Sequence, residues 1–308
     1  MKISYFRGLQ HSNFGDALNP WMWPKLIPGF FDEDESRVFL GIGSILGEKE
    51  YAPGSRKIVF GSGYVPEYHI MPEINKTDWD IYFVRGPRTA KMLNLPPELG
   101  LGDPAILLRT IVKPQSPTIG VVSFMPHWQS MERGRWEDAC RLAGINLIDP
   151  RSPVESVIED LQKSKLLITE AMHGAIVADA LRVPWVPVIP INSIHRGKWT
   201  DWTESLGLKF HPQRLWPSSL LEMRLSFMRR PITASPFAGL IEKNLACAAA
   251  HRLRRLSVSS PCLSDDRTLD RVTSTMQEMI ARLRKDYGRA SAQSSTAPCL
   301  RSEKQGIH

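Results

Sequence analysis

The sequence predicts an α/β protein in which two Rossmann-like domains face a cleft and a helical C-terminal extension follows. Short apolar strands alternate with helices of roughly 10–13 residues, which is the pattern of βαβ units and a parallel sheet. The chain of 308 residues is also too long for one comfortable core and fits two domains of about 100–150 residues. We place the domains at residues 1–113 and 118–215, the extension at 216–288 and a disordered tail at 289–308.

In the first domain, apolar strands end at glycine or proline. Two of them, RVFLGIGSIL and KIVFGSGYV, share one plan: a basic residue, three apolar residues and then Gly-x-Gly. Central parallel strands have this composition because both faces are buried, and the glycines allow a sharp turn and the approach of a ligand. Neither pair forms the dinucleotide fingerprint GxGxxG. The predicted strands are residues 2–6, 38–41, 57–61 and 81–84, and helices should begin near Ala17, Pro87 and Pro104.

The alternation resumes after a stretch typical of a linker, residues 111–117. Its apolar runs are too short for buried helices and are bounded by turn residues, which favours strands. The predicted strands of the second domain are residues 118–124, 145–149, 166–169 and 184–188. The predicted helices are residues 132–143 and 154–164, with a third after His173.

From Lys198 onward the pattern changes to helices. A helix over KWTDWTESLGL is predicted to end at Gly207. The last helix is predicted to start with Ser264 as its N-cap and to stop at Gly288.

The C-terminal third carries the excess positive charge. Residues 211–308 hold 16 lysines and arginines against 8 aspartates and glutamates, while the whole chain has a net charge of +7. The segment SSLLEMRLSFMRR, which ends in Arg229 and Arg230, is amphipathic and basic. Such a surface suits contact with an anionic membrane, and a solvated helix face explains it equally well.

Composition excludes several classes of protein. No stretch reaches the roughly 18 uninterrupted apolar residues of a membrane-spanning helix, and the N-terminus lacks the apolar region of a secretory signal. The four cysteines are scattered without CxxC spacing, which argues against a zinc site or disulfide framework and for a reduced, cytoplasmic chain. No signature of a nucleic-acid-binding module is present, so no nucleic-acid partner is expected.

His173 is the candidate for chemistry in the second domain. In ITEAMHGAIVADAL it follows an apolar strand and opens an alanine-rich helix. Ligands of open α/β sheets bind beyond the carboxyl ends of the strands, where the free N–H groups of the next helix also point. An imidazole there can act as a general acid or base. The alternative is a core histidine bonded to a carbonyl, but Gly174 and Ala175 leave room beside the ring.

A second strand-to-helix turn, WDIYFVRGPRTAKML, carries two arginines. Arg85 falls at the strand end, Pro87 suits the first helical turn and Arg88 lies one helical step on. A guanidinium at a helix N-terminus is electrostatically unfavourable unless an anion is also there. We therefore expect Arg85 to bind a phosphate or carboxylate, the alternative being a surface salt bridge.

Other turns hold polar residues whose role the sequence leaves open. Asn13 and Asp16 follow the first strand and can either cap the next helix or contact a substrate. Asp103, in GDPAILL, has the position of an N-cap. The stretch INSIHRGKW brings together three basic residues, His195, Arg196 and Lys198. This cluster suits an anionic or sugar ligand.

In this order, the turns resemble the polysaccharide pyruvyl transferase family. The segments that carry the resemblance, across about residues 1–210, are NFGDALNP, LGIGSIL, FVRGPRTA, GDPAILL and ITEAMHGAIVADAL. The chain, including KWTDWTESLGL, is most similar to the succinoglycan-type exopolysaccharide pyruvyl transferases. The resemblance implies a two-domain fold like that of GT-B glycosyltransferases, phosphoenolpyruvate as donor and a 4,6-ketal on a terminal hexose as product.

The implied reaction assigns roles to these residues. A pyruvyl ketal requires protonation of the phosphoenolpyruvate methylene and stabilisation of positive charge at its central carbon. His173 supplies the proton, and fixed cations hold the phosphate and the carboxylate. The expected substrate-binding residues are Asn13, Asp16, Arg85, Arg88, Glu170, His195, Arg196 and Lys198. The reaction demands neither a metal nor a cofactor beyond the donor.

The resemblance also implies partners and a location. The expected acceptor is an undecaprenyl-diphosphate-linked oligosaccharide at the cytoplasmic face of the inner membrane, reached by peripheral contact. One departure matters: many family members have an arginine two residues before the motif histidine, where this chain has Ala171. Another cation, such as Arg85 or Arg196, must then take its anion-binding role, or the activity is altered. Two alternatives stay open, a GT-B glycosyltransferase using a nucleotide-sugar and a non-catalytic partner in an exopolysaccharide assembly complex.

Overall fold

A computed structural model describes residues 1–7, 13–47, 51–52, 54–67, 69–74, 78–113, 120–189, 196–227 and 238–293. Within these ranges the chain forms two separate parallel β-sheets, one of four strands and one of five, with helices between the strands. The α/β class predicted from the alternating pattern is confirmed. Residues 114–117 of the predicted linker, His195, and Arg229 with Arg230 lie outside the described residues.

The first sheet is built from four strands in chain order. They are β1 (Lys2–Ser4), β2 (Arg37–Leu40), β3 (Arg56–Phe60) and β4 (Trp79–Phe83), each parallel to the next. Helix α1 (Phe14–Leu26) follows β1 and begins three residues before Ala17, while α2 (Pro87–Met92) follows β4. A 3₁₀ helix at Pro104–Thr110 is capped by Asp103, as predicted.

The order in which the strands are added to the second sheet reverses once. Its strands are β5 (Val121–Met125), β6 (Asn146–Leu147), β7 (Ser164–Thr169), β8 (Trp185–Ile189) and β9 (Gln213–Arg214). Strand β6 pairs with one side of β5, whereas β7, β8 and β9 follow on the other side. The gap between the ends of β5 and β7 is therefore a topological switch point, the place where open α/β sheets bind ligands.

Helices connect these strands. They are α3 (Trp128–Arg133), α4 (Trp136–Ala143), α5 (Val154–Gln162) and α6 (Met172–Ala180). The single helix predicted over residues 132–143 is wrong, because Gly134 adopts an extended conformation (φ −101°, ψ 170°) that ends α3. A side chain at Gly134 would lie 2.3 Å from the indole nitrogen of Trp136, so this break is also a point of close packing.

The rest of the described chain is largely helical. Its helices are α7 (Arg196–Ser205), α8 (Leu220–Phe227), α9 (Ala238–Leu256) and α10 (Asp266–Gln293). Gly207 follows α7 with φ +68°, as expected of a helix-ending glycine. Two other boundaries are wrong. Asp265, rather than Ser264, caps α10 by accepting the Thr268 N–H at 3.0 Å, and α10 continues through Gly288 because a glycine costs a helix only about 1 kcal/mol.

Helix α10 runs from the second sheet back to the first. Before its start, Ser264 donates to the buried carboxylate of Asp179 in α6, which also accepts the Trp185 indole N–H at 2.9 Å. Near its end, Asp286 accepts the hydroxyl proton of Tyr82 in β4 at 2.6 Å. Burial and this bond together raise the pKa of Tyr82. These contacts tie the start of α10 to the second sheet and its end to the first.

One continuous apolar cluster joins the two sheets. Trp23 of α1 packs edge-on against Phe39 and Phe60 of the first sheet, and the same cluster includes Trp185 and Trp202 from the second half of the chain. The two sheets therefore share a core. The GT-B-like arrangement and the domain boundaries stay predictions. Among the described residues, no helix is both long and apolar enough to cross a membrane.

Candidate active site

The candidate site lies where helices that follow strands of the two sheets meet. Helix α6, which follows β7, points its first turn at α1, which follows β1. A Cβ added to Gly15 in α1 would lie 1.9 Å from Nδ1 of His173 in α6, so the imidazole packs directly on the Gly15 backbone. Helix N-termini carry partial positive charge, and two of them meeting favour an anionic ligand.

His173 is only partly accessible. Its side chain keeps 14% of its surface exposed, and its Nε2 lies 3.6 Å from Oδ2 of Asp103. Thr169 at the end of β7 fixes the turn before it, because its hydroxyl accepts the Ala171 N–H at 2.9 Å and donates to the Met125 carbonyl at 3.0 Å. The strand-to-helix position predicted for His173 is confirmed.

Arg85 is a buried residue with one unused donor. Its guanidinium is fully buried; Nε donates to Asp201 at 3.2 Å and Nη1 donates to the Ser44 hydroxyl at 2.7 Å. Its Nη2 has no hydrogen-bond partner within the described chain. Gly63 makes the space, since a Cβ there would lie 2.2 Å from the guanidinium carbon. Gly63, which the sequence predicted would allow the approach of a ligand, therefore makes room for the side chain of Arg85.

Asp201 is the anion that shares the N-terminus of α2 with Arg85. Its Oδ1 accepts the N–H groups of Arg88 and Thr89 at 3.0 Å each, and its Oδ2 accepts the Thr89 hydroxyl proton at 2.6 Å. A carboxylate from α7 thus caps a helix more than 100 residues earlier in the chain. The surface salt bridge considered for Arg85 is wrong, because the pair is buried. That Arg85 binds the donor stays a prediction, and the observation that supports it is the unpartnered Nη2.

Two other predicted cations lie at the surface. The guanidinium of Arg88 is held by Glu204, with Nε and Nη2 donating at 2.8 Å and 2.7 Å, and the Glu204 charge raises the pKa of Arg88. Arg196 is exposed at the start of α7. Their role in binding substrate stays a prediction, and nothing in these contacts directs either side chain toward His173.

Lys198 and Asp16 belong to the charge cluster around His173. Burial, reinforced by the positive charge of Arg85, lowers the pKa of Lys198 to about 8, against the opposing charges of Asp16 and Glu170. Burial raises the pKa of Asp16, partly offset by a hydrogen bond at 2.9 Å from the Asn13 amide and by the charges of His173 and Lys198. The side chains of both residues are half-buried.

Glu170 occupies the switch point of the second sheet. Its Oε2 accepts the backbone N–H of His127, which follows β5, at 3.0 Å, so the carboxylate bridges the ends of β5 and β7. Burial raises its pKa to about 7 despite this bond. A carboxyl group that titrates near neutrality can exchange protons with a substrate hydroxyl.

The structure thus brings together His173, Asp16, Arg85, Glu170 and Lys198. Sequence reasoning missed two partners. The sequence offered Asp103 as a cap and left any further role open, and Asp201 was not singled out at all. In the part of the chain described, no group of three acidic, histidine or cysteine side chains is placed to hold a metal ion. The cluster suits proton transfer and the binding of a small anion.

Comparison with known proteins gives one family match and one curated relative. Residues 10–192, more than half of the chain, match the family model for polysaccharide pyruvyl transferases. The chain is 39% identical over 227 residues to the succinoglycan biosynthesis protein ExoV of Rhizobium meliloti (strain 1021), which covers 73% of this chain and 71% of that protein. No solved structure matches significantly. His173, Arg85 and Asp103 all lie within the matched family region.

Replacement of Asp201 should destabilise the fold far more than replacement of its neighbour Glu204. Asp201→Asn leaves the buried Arg85 charge uncompensated, which costs about 3–5 kcal/mol. Glu204 lies in the same helix as Asp201 and forms an exposed ion pair with Arg88. Glu204→Gln breaks this pair, which is worth about 1 kcal/mol or less. Urea unfolding of the two variants measures the difference, and equal losses of stability would contradict the buried clamp.

Proposed function

This chain belongs to the polysaccharide pyruvyl transferase family, and from that premise we propose that it moves the pyruvyl group of phosphoenolpyruvate onto a terminal hexose of a lipid-linked exopolysaccharide repeat unit. The observation that carries the proposal is a cluster of charged groups around Asp16, which interacts with both His173 and Lys198. Lys198 in turn interacts with Arg85. The relative from Rhizobium meliloti is a succinoglycan biosynthesis protein, which supports an exopolysaccharide as the acceptor.

The reaction needs a small set of groups. The methylene carbon of phosphoenolpyruvate takes a proton to become a methyl group, and its central carbon gains positive charge. Two sugar hydroxyl oxygens then bond to the central carbon while the bond to the phosphate oxygen breaks. The two sugar hydroxyls release two protons. One replaces the proton that the protein gave to the methyl group, and the other leaves with the phosphate. One proton donor, one proton acceptor and a pair of cations therefore suffice.

The residues of the cluster divide these tasks by their chemistry. His173 donates the proton to the methylene carbon, and Glu170, with a pKa of about 7, accepts a proton from the sugar. The free Nη2 of Arg85 and the ammonium of Lys198 hold the phosphate and carboxylate. Lys198 thereby supplies the cation that many family members place at the position of Ala171.

The cleft expected of a GT-B-like fold would seat the acceptor between the two sheets, with Asn13 and Asp16 on its first-sheet side. A nucleotide-sugar glycosyltransferase could use the same arrangement for a diphosphate. The family match favours pyruvyl transfer. Competition separates the two, since phosphoenolpyruvate should be consumed and UDP-sugars should neither react nor compete.

The direct test is incubation with phosphoenolpyruvate and an undecaprenyl-diphosphate-linked oligosaccharide. Phosphate release should match the appearance of the pyruvyl mass on the sugar. In a folded His173→Asn variant, turnover should fall by at least about 10²-fold, because general acid–base catalysis contributes about 10²–10⁴-fold. Turnover within a few-fold of the wild type would reject His173 as the proton donor, and the absence of any ketal product would reject the proposal.

Donor binding should depend on pH through Lys198. Below its pKa of about 8 the ammonium is charged and binds the anionic donor; above that pH the charge is lost and the KM for phosphoenolpyruvate should rise. Lys198→Arg should abolish this rise, because a guanidinium stays charged to far higher pH. Lys243→Arg, at an exposed lysine of α9, is the control. An alkaline rise in KM that persists in Lys198→Arg would contradict the assignment.

Helices α8 and α9 supply a surface for the membrane contact that this acceptor requires. Four large apolar side chains are exposed there, namely Leu221, Leu225, Leu240 and Ile241. The surrounding C-terminal third carries the excess of basic residues. Apolar side chains set among basic ones match an anionic lipid surface, where each lysine or arginine contributes about 1 kcal/mol.

Vesicle binding tests this surface. Binding to anionic vesicles should weaken as salt rises, because the attraction is screened. Leu225→Glu should weaken it several-fold, whereas Ile70→Glu, at an equally exposed residue of the first half of the chain, should not. Equal partitioning onto neutral and anionic vesicles at low salt would decide against membrane contact.

A further inference from the structure

Two buried polar atoms without hydrogen-bond partners face each other across the site. Nε2 of His173 and Oδ2 of Asp103 are both enclosed, and neither is bonded to any other group that the structure describes. They lie 3.6 Å apart, slightly beyond a normal hydrogen bond. Leaving a buried polar group without a hydrogen bond is unfavourable, so a small adjustment that joins the two atoms is favoured.

Asp103 is held in the position that this contact needs. Its side chain is fully buried, and Oδ1 accepts the Ala105 N–H at 3.0 Å as the cap of the 3₁₀ helix. That helix packs against α6, which carries His173, and against α10. Because the cap fixes one carboxylate oxygen, the direction of the other oxygen toward His173 is fixed as well.

The imidazole also packs closely on Gly15. A Cβ at Gly15 would lie 1.9 Å from Nδ1 and 2.6 Å from Cγ of His173, so the ring rests on bare backbone. The ring thus sits in a slot lined by Asp103 and Gly15. Both walls come from the first half of the chain, while His173 comes from the second.

We propose that Asp103 is a positioning residue that holds His173 in the Nε2–H tautomer, so that Nδ1 is the atom exchanging a proton with the substrate. The doubly protonated ring donates from Nδ1 and is left as the neutral Nε2–H tautomer, and a proton taken up at Nδ1 restores it. A carboxylate can only accept, so the proton between the two residues belongs on Nε2. Because Nε2 faces the Asp103 carboxylate, Nδ1 is the ring nitrogen left for a ligand, and 14% of the side chain stays exposed. The catalytic half of this inference rests on the proposed function.

Other charged groups near the ring do not compete for Nε2. Asp16 of α1 interacts electrostatically with His173. Asp16 also interacts with Lys198 of α7. Asp103 is the acidic group that the structure places within 4 Å of Nε2. The tautomer is therefore set by the Asp103 carboxylate.

The wild-type protein tests the tautomer directly. Nitrogen NMR of the 15N-histidine-labelled chain distinguishes Nε2–H from Nδ1–H in a neutral imidazole, and His173→Asn identifies the signal by its loss. We expect Nε2–H for His173. An Nδ1–H ring in the wild type would overturn the proposal without any need for a destabilised variant.

Asp103→Asn tests the cause. Its amide oxygen can keep the cap at Ala105, which turns the amide N–H₂ toward Nε2 and forces the Nδ1–H tautomer. The NMR signal should switch, and kcat should fall about 10²–10⁴-fold with little change in the KM for phosphoenolpyruvate, as when the orienting carboxylate of a serine protease is replaced by an amide. Asp270→Asn, at an exposed carboxylate paired with Arg109, should change neither.

Gly15→Ala tests the slot independently. The new methyl group must push the ring away, so the single tautomer should give way to a mixture and kcat should fall, whereas Gly239→Ala in α9 meets no atom within 4 Å and should change nothing. A tautomer unaffected by both Asp103→Asn and Gly15→Ala would overturn the positioning role. Because NMR needs no turnover, a switch of tautomer in a chain that makes no ketal would leave the positioning role standing and reject the proposed function.

Discussion

The insertion of His173 into a slot formed by the other half of the chain is the constraint on which the site depends. Helix α6 can bring the imidazole onto Gly15 only if α1 approaches within van der Waals contact, and a single methyl group would prevent it. The shared apolar core and α10 hold the two sheets at this distance. The geometry of the cluster is therefore a property of both sheets together rather than of either one.

The charged groups of the site also come from both halves of the chain. Arg85 is buried at the end of β4, and the carboxylate that compensates it comes from α7. Lys198 lies on the same helix, where burial and the neighbouring guanidinium lower its pKa to about 8. One helix thus delivers a permanent counter-ion to Arg85 and a titratable cation to the cluster around His173. The unused Nη2 of Arg85 is the part of this arrangement that an anionic ligand would complete.

The sequence predicted local features well because their causes are local. Apolar runs between turn residues predicted the strands, and the position of Asp103 before a proline predicted its cap. The rule that an arginine at a helix N-terminus needs an anion was also correct. The anion that the structure supplies is Asp201, and no local pattern could identify it because it is 116 residues from Arg85. The same holds for the free Oδ2 of Asp103, because the group that it faces, His173, is also distant in the sequence. Gly288 failed as a stop signal because Tyr287 bonds to Asp80 of the first sheet and holds the end of α10 in place.

The most direct test of this account is a crystal structure of the protein with phosphoenolpyruvate bound. The account predicts the phosphate or carboxylate on Nη2 of Arg85 and the ammonium of Lys198, with the methylene carbon within about 3.5 Å of Nδ1 of His173, the distance of a reactive encounter. Phosphoenolpyruvate bound away from His173, or with its methylene carbon turned from the imidazole, would contradict it.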